Sequence, residues 1–214
     1  ELVAEHVTLA VGRRASRELD AGDAAQRRLL EVAVLCNDAP PGGREGDPIE
    51  RALVAMAESA GLDVADLRAA QPRSALLPFS SDTKFMATRH GRRVCLKGAP
   101  EAMLARCTSE SGPQGPQALD AERWQCELDD LAASGFRVLA FAEGGLDGAE
   151  TSLDPADLEQ GACLLGLVAF ADPPRPEVPD AIRACASAGI MVKMITGDHA
   201  ATALAIADEL GIAG

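Results

Sequence analysis

The stretch FSSDTKFMATRHGRRVCLKGAPE, residues 79–101, decides the fold. It contains two short apolar runs, KFMATRHG and RRVCLKGAP, behind a lone Phe79 that precedes polar residues. Comparable runs, RSALLPFSSD and FRVLAFAE, lie before and after it in the chain. Short apolar or alternating runs bounded by Gly, Pro and Ser are typical of the strands of an antiparallel sheet. We therefore predict such a sheet, with helices packed on one side.

Helices are predicted both before and after this stretch. The clearest is GDPIERALVAMAESAGLD, in which Asp47 is the N-cap, Pro48 opens the first turn and Gly61 follows the end. The remaining segments are assigned from the same apolar and turn patterns. Further helices are expected at 15–39, 99–107 and 119–135, and polar surface loops are expected at 111–117 (SGPQGPQ) and 143–160.

The pattern changes after residue 161. Strand, helix, strand and helix follow one another, with IMVKMI (190–195) as the second strand. This order is typical of a parallel α/β unit. We place a domain boundary at the proline-rich ADPPRPE, which divides the chain into residues 1–170 and 171–214. The second piece is too short for a complete doubly wound domain.

The composition limits the possible functions. The 33 acidic and 20 basic residues leave a net charge of -13, which repels nucleic-acid backbones. A hydrophobic content of 47% is enough for a buried core, and no uninterrupted apolar run is long enough to cross a membrane. The six cysteines form no CxxC pair, so we expect reduced thiols and no metal site. The chain is predicted to be soluble and to contact neither nucleic acid nor membrane.

Four short motifs stand in an order and spacing that single out one family. They are GDPIERAL (46–53), FSSDTK (79–84), KGAPE (97–101) and the pair DPPRPEV (172–178) with MITGD (194–198). In these motifs the chain resembles the nucleotide-binding domain of a P-type ATPase and the adjoining part of its phosphorylation domain. Several motifs in the correct order are more specific than any one of them. The resemblance implies an α/β fold: an α+β nucleotide-binding domain with an antiparallel sheet flanked by helices, then a partial Rossmann-like phosphorylation-domain segment of haloacid-dehalogenase type.

The resemblance also implies an ATP pocket in the first domain. Phe79 corresponds to the aromatic residue that stacks on adenine, and Glu50 corresponds to an acidic residue near the base. Lys84 and Lys97 line the pocket. Gly98 suits the same place because a residue without a Cβ lets the backbone lie close to a ligand.

The residue types in these motifs suit nucleotide binding. An aromatic ring offers a π face to a purine, and lysines attract phosphate. Arg137, in GFRVLAFA, corresponds to an arginine that contacts the ATP phosphates, which a guanidinium can hold with two bonds. Structural roles stay open for each residue. In these roles Glu50 closes a capping box with Asp47, Phe79 is a core residue at a strand end, and the basic residues are solvated.

In the second piece, Thr196, Gly197 and Asp198 stand where a parallel strand ends and a helix begins. Helix N-terminal amides favour anions at such a place, and Asp198 also suits an N-cap. By resemblance, this TGD loop lies beside the phosphorylation site and handles the transferred phosphoryl group. Asp172 and Arg175, in DPPR, match the family's hinge between the two domains.

Two motifs of the family are absent from the sequence. It has no Asp-Lys-Thr-Gly-Thr, which carries the phosphorylated aspartate, and no GDGxND magnesium motif. We therefore expect the chain to bind ATP, to hold no metal by itself and to be catalytically inactive alone. The resemblance implies that Mg2+ and the remaining phosphorylation, actuator and transmembrane domains of the parent pump complete the enzyme. It also implies a location on the cytoplasmic side of a cell membrane.

The pocket motifs also indicate a subclass. They resemble those of calcium, sodium-potassium and proton pumps, and the His-Pro pair of heavy-metal pumps does not occur. A calcium-pump-like parent is the first expectation. Two other functions stay open. One is a haloacid-dehalogenase-type phosphatase in which residues 1–160 form a cap domain, and the other is a non-catalytic nucleotide-binding module.

Overall fold

The computed structural model of the chain describes residues 2–10, 12–42, 45–147, 152–171, 177–195, 207 and 210–212. Its strands are β1 (Val3–Leu9), β2 (Gly12–Ala15), β3 (Ala75–Leu77), β4 (Phe85–His90), β5 (Arg93–Gly98), β6 (Cys107–Gly112), β7 (Gly115–Ala118), β8 (Arg137–Gly145) and β9 (Ala162–Ala171). Its helices are α1 (Ala24–Leu35), α2 (Pro48–Ser59), α3 (Val64–Ala70), α4 (Pro100–Leu104), α5 (Ala121–Ala133) and α6 (Val178–Ser187). None of the helices in these ranges has the length and apolar character that crossing a bilayer requires.

The described strands form one nine-stranded sheet in which β2, β1, β9, β8, β5, β4 and β3 follow one another. Neighbours along this path are antiparallel. β6 and β7 lie outside this path. They form a hairpin with each other, and β6 runs parallel to β9. Next to the edge strand β3, β4 and β5 form a hairpin with Phe85 opposite Gly98. The predicted α/β class with an antiparallel sheet is confirmed.

Helices cover both faces of the sheet, so the predicted one-sided arrangement is wrong. On one face α1, α2 and α3 pack over a core that includes Leu29, Leu53 and Phe141. On the other face α4 and α5 contribute Met103 and Trp124 to a second core. The reason is that every residue of β4, and all but the last of β9, is buried. Strands without a polar face need cover on both sides.

The most clearly predicted helix is confirmed as α2. The Asp47 carboxylate accepts hydrogen bonds from the amides of Ile49 and Glu50 at 2.9 and 3.4 Å, and Pro48 opens the first turn. Gly61 follows the end of the helix with φ of 87°. Glycine is the favoured residue in this left-handed conformation, so it ends the helix without strain.

Two predictions about single segments are wrong. SGPQGPQ is not a loop, since Ser111 pairs with Pro116 and Gly112 pairs with Gly115 to close the β6–β7 hairpin. Because the segment is polar, its sequence pattern does not predict this pairing. The pairing also depends on β9, which is a neighbour of β6 in the sheet. The segment 190–195 forms no strand with any part of the chain that the structure describes. A strand exists only where a partner satisfies its backbone hydrogen bonds.

Element boundaries also differ from the sequence patterns. The helix predicted within 15–39 spans only Ala24–Leu35, because Asp23 caps its first turn and accepts hydrogen bonds from two amides at 3.0 Å. The segment 143–160, predicted as a loop, also contains regular structure. β8 continues to Gly145, and a 3-10 turn lies further along this segment.

Candidate functional site

Several of the predicted pocket residues converge on one end of the sheet. β4 begins at Phe85, directly after Lys84, and Phe85 pairs with Gly98 at the end of β5. Gly98 in turn pairs with Ala140 of β8. Arg137, the first residue of β8, therefore lies at the same end. The antiparallel register brings motifs from three separate segments of the sequence to one place.

Two of these residues point to the same face of the sheet. Residues opposite each other in antiparallel strands share a face, and Lys97 lies opposite Met86 and Phe141. Both partners belong to the core beneath α1 and α2, so Lys97 points toward these helices. Arg137 lies an even number of positions before Phe141 and shares its face, because strand side chains alternate.

Phe79 lies directly before the turn that leads into β4. The amide of Lys84 donates to the carbonyl of Ser80 at 2.7 Å and closes this turn directly behind Phe79. The Phe79 side chain is large and apolar, yet the residue is 63% exposed. The interpretation of Phe79 as a core residue is wrong, because its ring is presented to solvent.

Lys84 connects the turn before β4 to the loop after β5. Its backbone is left-handed, with φ of 58°, which is uncommon for a residue other than glycine. Its carbonyl accepts a hydrogen bond from the amide of Ala99 at 2.9 Å. Its ammonium lies 3.1 Å from the carboxylate of Glu101, and both side chains are more than half exposed. A backbone hydrogen bond at Glu101 itself and the contact with Lys84 lower the pKa of this carboxyl. Sequence reasoning missed the Lys84–Glu101 pair.

Gly98 is required by the packing of the neighbouring strand. A Cβ placed on it would lie 2.6 Å from the carbonyl oxygen of Lys84 and 2.6 Å from the Cβ of Phe85. Real Cβ atoms do not approach other heavy atoms so closely. From the sequence, this glycine is expected to let a ligand approach the backbone. In the fold, the atoms that leave no room for a Cβ belong to Lys84 and to Phe85 of β4.

Lys97 and Glu50 form a buried ion pair. The Lys97 Nζ lies 2.5 Å from the Glu50 Oε1, with side chains 9% and 14% exposed. The second carboxylate oxygen of Glu50 accepts a hydrogen bond from the amide of Asp38 at 3.1 Å. The predicted capping box is therefore wrong. Asp47 does cap α2, but the Glu50 carboxylate turns to Lys97 and Asp38 instead of the Asp47 amide.

Arg137 is an exposed cation at this end of the sheet. It lies opposite Phe170 of β9, and among the described residues its guanidinium meets no hydrogen-bond or ion-pair partner. Its donors are therefore available to an anion. The chain contains three lysines, and two of them, Lys84 and Lys97, lie in this region as well. Cations thus concentrate here although the whole chain carries a charge of -13.

The cysteines offer no alternative chemistry at this site. All six are free thiols, and four of them are buried. Burial raises the pKa of Cys36 to about 11 and that of Cys107 to about 12, so both stay protonated. A protonated, buried thiol is neither a nucleophile nor a metal ligand. These cysteines act as small core residues.

Five predicted site residues lie outside the described residues. They are the hinge pair Asp172 and Arg175 and the loop residues Thr196, Gly197 and Asp198. Their roles stay predictions. In the described ranges, no group of three or more His, Cys, Asp or Glu side chains is arranged to hold a metal ion.

Comparison with known proteins gives a consistent picture. A family model described as "P-type ATPase, cytoplasmic domain N" matches residues 25–177. The chain is 44% identical over 195 residues to the cation-transporting ATPase pma1 of Synechocystis sp., which covers 86% of this chain and 21% of that protein. It is 42% identical over 172 residues to the probable cation-transporting ATPase F of Mycobacterium tuberculosis, and this match covers 78% of this chain and 19% of that protein. It is also 37% identical over 208 residues to the calcium-transporting ATPase 1 of Lactococcus lactis, and this match covers 92% of this chain and 24% of that protein.

The chain is short beside these relatives. The matched regions make up 21%, 19% and 24% of the three proteins, so the chain spans about a fifth of their length. The matches nevertheless cover most of the chain itself, including the region from Ala25 in α1 to the end of β9.

Proposed function

This chain belongs to the P-type ATPase family, and we propose that it is the part of a cation pump that binds ATP. The single observation that carries the proposal is the exposed ring of Phe79, held at the same end of the sheet as Lys84 and the Lys97–Glu50 pair. The matched relatives are named as transporters of cations or of calcium. Their names support a cation as the cargo of the whole protein and a calcium-pump-like subclass.

Phe79 and Glu50 are proposed to receive the adenine. A hydrogen-bonded turn follows Phe79 directly in the chain, and the Phe79 ring lies at the surface. A base can stack on this ring without any change in the core. Stacking of a base on an aromatic side chain contributes about 1–3 kcal/mol. The Glu50 carboxylate can accept a hydrogen bond from the amino group of adenine, and guanine carries a carbonyl at that position. Lys97 pairs with this carboxylate and serves the base end of the pocket.

Arg137 and Lys84 are proposed to meet the phosphates. Both are exposed, in contrast to the buried Lys97. Along β8, residues 137 to 140 span about 10 Å, so Arg137 lies well away from the strand position that faces Gly98. This spacing supports a nucleotide that extends along the end of the sheet, with Gly98 below it and a phosphate held by the Arg137 fork.

The complete reaction is proposed for the whole protein only. The sequence has no Asp-Lys-Thr-Gly-Thr, so another segment supplies the phosphorylated aspartate, and this chain alone does not hydrolyse ATP. The proposed partners are the remaining phosphorylation, actuator and transmembrane domains, on the cytoplasmic side of a cell membrane. Mg2+ is proposed as a cofactor of that assembly, since the described residues hold no suitable group of ligands.

The second piece of the chain is proposed to belong to the phosphorylation domain. We keep the boundary between residues 1–170 and 171–214, near the end of β9. Asp172 and Arg175 are proposed to form the hinge. The loop of Thr196, Gly197 and Asp198 is proposed to contact the transferred phosphoryl group when the rest of that domain is present.

Calorimetric titration with ATP and with GTP tests the proposal. We expect weak binding of ATP, with a Kd on the order of 1 mM, and weaker binding of GTP. Phe79→Ala should weaken ATP binding about fivefold or more, since stacking is lost. Leu76→Ala is the matched control, because Leu76 is also a large exposed apolar residue, at 42%, but lies on the edge strand β3. No ATP binding by the unaltered chain, or equal losses in the two variants, would contradict the proposal.

A further inference from the structure

Asn37 joins the two helices that frame the Lys97–Glu50 pair. It follows the end of α1 and is 2% exposed. Its side-chain amide donates to the carbonyl of Ala33 at 3.2 Å and to the carbonyl of Glu50 at 2.9 Å. Its side-chain oxygen accepts from the amide of Ala39 at 2.8 Å. One buried side chain therefore connects the end of α1, the turn after it and the first turn of α2.

The turn after α1 also contacts the Glu50 carboxylate directly. The Asp38 amide donates to one oxygen at 3.1 Å, and the Lys97 ammonium holds the other at 2.5 Å. Each carboxylate oxygen has its own donor, so the carboxylate cannot rotate without losing one of these charge-assisted bonds. The position of the Asp38 amide depends on Asn37, which closes this turn.

Two arginines hold the same turn from another direction. Arg68 of α3 donates to the carbonyls of Asn37 and Ala39 at 3.3 and 2.8 Å. Arg73 donates to the carbonyl of Asn37 at 2.8 Å and to the carboxylate of Asp38 at 2.6 Å. Cations are favourable beside the carbonyls at a helix C-terminus. The turn is therefore fixed on both sides, which makes it a rigid support for Glu50.

We propose that Asn37 is a positioning residue of the nucleotide site. It holds the Glu50 carboxylate, and through it the Lys97 ammonium, in the orientation in which they meet the base. The benefit to nucleotide binding rests on the proposed function, whereas the effect on the Lys97–Glu50 pair does not require a nucleotide. Without the Asn37 amide, the first turn of α2 loses its link to α1, and Lys97 becomes more accessible.

The chemical reactivity of Lys97 tests this inference in the absence of nucleotide. Because the chain has three lysines, mass spectrometry after brief acetylation can follow each one. Lys193 is exposed and serves as the internal reference. Asn37→Ser should raise acetylation of Lys97 relative to Lys193 by about threefold to tenfold, the range expected for losing a buried hydrogen-bond link. Serine can still accept from the amide two positions on, but it cannot span the two carbonyls.

Gln26→Ala is the matched control. Gln26 is a buried side-chain amide of the same helix, 6% exposed, and accepts from the Asp20 amide at 2.9 Å at the opposite end of α1. It should destabilise the chain without changing the acetylation of Lys97. An unchanged acetylation ratio in Asn37→Ser, or an equal rise in both variants, overturns the proposal.

A second measurement covers the case in which Asn37→Ser does not fold. In the unaltered chain, hydrogen exchange of the Asp38 amide should be slow because Glu50 accepts it, and Glu50→Ala should remove this protection. Equal exchange rates in the two proteins overturn the proposal. With ATP, Asn37→Ser should raise the Kd by the same factor as the acetylation ratio and reduce the preference over GTP. A failure of ATP to bind the unaltered chain counts against the proposed function, while acetylation and exchange still decide the role of Asn37.

Discussion

Lys97 and Glu50, 47 positions apart in the chain, form an ion pair with 2.5 Å between Nζ and Oε1. The pair joins the end of β5 to the first turn of α2. The positive charge of one sequence motif is therefore neutralised by the negative charge of another. Burying either charge alone would be costly, because desolvation of an unpaired ion is expensive. The pair therefore explains why an acidic residue in GDPIERAL accompanies the lysine of KGAPE.

Breaking this pair from one side should destabilise the fold. Lys97→Met leaves the Glu50 carboxylate buried without its cation, and we expect a loss of about 3–5 kcal/mol in the free energy of unfolding. Lys97→Met combined with Glu50→Gln should recover most of that loss, because no unpaired charge remains. Urea unfolding followed by the fluorescence of the single tryptophan measures both. Strictly additive losses would show that the two side chains do not depend on each other.

Gly98→Ala should destabilise the chain through overpacking. The added Cβ would meet the Lys84 carbonyl and Phe85 at 2.6 Å, and relieving such contacts costs about 1–3 kcal/mol. Gly144→Ala in β8 is the control, because a Cβ at Gly144 meets nothing within 4 Å. Its effect should stay within about 0.5 kcal/mol. Equal thermal unfolding temperatures for the two variants would refute the packing role of Gly98.

Glu101→Gln should strengthen ATP binding. Glu101 pairs with the ammonium of Lys84, so phosphate must compete with this carboxylate. Because both side chains are more than half exposed, the gain should be small, about twofold to fivefold in Kd, and should shrink as salt is added. Glu122→Gln removes an equivalent exposed charge from the first turn of α5 and should leave the Kd nearly unchanged. The same gain in both variants would indicate a general charge effect.

Glu110 should make stability depend on pH. It is 1% exposed and accepts hydrogen bonds from Trp124 at 2.6 Å and Gln117 at 2.7 Å. Burial opposes its ionisation, but these bonds and the contact with Arg123 outweigh burial and lower the pKa of Glu110. Such a carboxyl stabilises the fold above its unfolded pKa, near pH 4.3, and this contribution is lost as the pH falls through the lower folded pKa.

Comparison of Glu110→Gln with the unaltered chain at two pH values tests this dependence. At pH ~7 the variant should be less stable by about 1.5–3 kcal/mol, because bonds to a charged acceptor are replaced by bonds to a neutral one. Well below pH ~4 the difference should narrow, since Glu110 then becomes protonated in both states. A difference that is equal at both pH values would argue against ionisation of Glu110 in the fold.

Local signals in the sequence were sufficient for some of these features. Asp47, Pro48 and Gly61 define α2 through hydrogen bonds and backbone angles within a few residues of one another. The β4–β5 hairpin is equally local, since its strands are separated by the two residues Gly91 and Arg92. Such features depend on little beyond the segment itself, so the sequence pattern predicts them well.

Features that depend on distant partners could not be predicted in this way. The Glu50 carboxylate could cap its own helix, and only the fold shows that Lys97 draws it away. The β6–β7 hairpin is polar and is held by β9, whose pairing no local pattern reveals. The role of Asn37 is hidden for the same reason, because it contacts a carbonyl on another helix.

The most direct test of the proposed pocket is a map of amide chemical shifts during titration of the unaltered chain with ATP. Phe79, Lys84, Gly98 and Arg137 come from separate segments, yet they should shift together along one binding curve. Gly144, at the opposite end of the same sheet, should change little, since it faces Val94 and not Gly98. Shifts that are absent at several millimolar ATP, or that concentrate around Gly144, would contradict an ATP site at this end of the sheet.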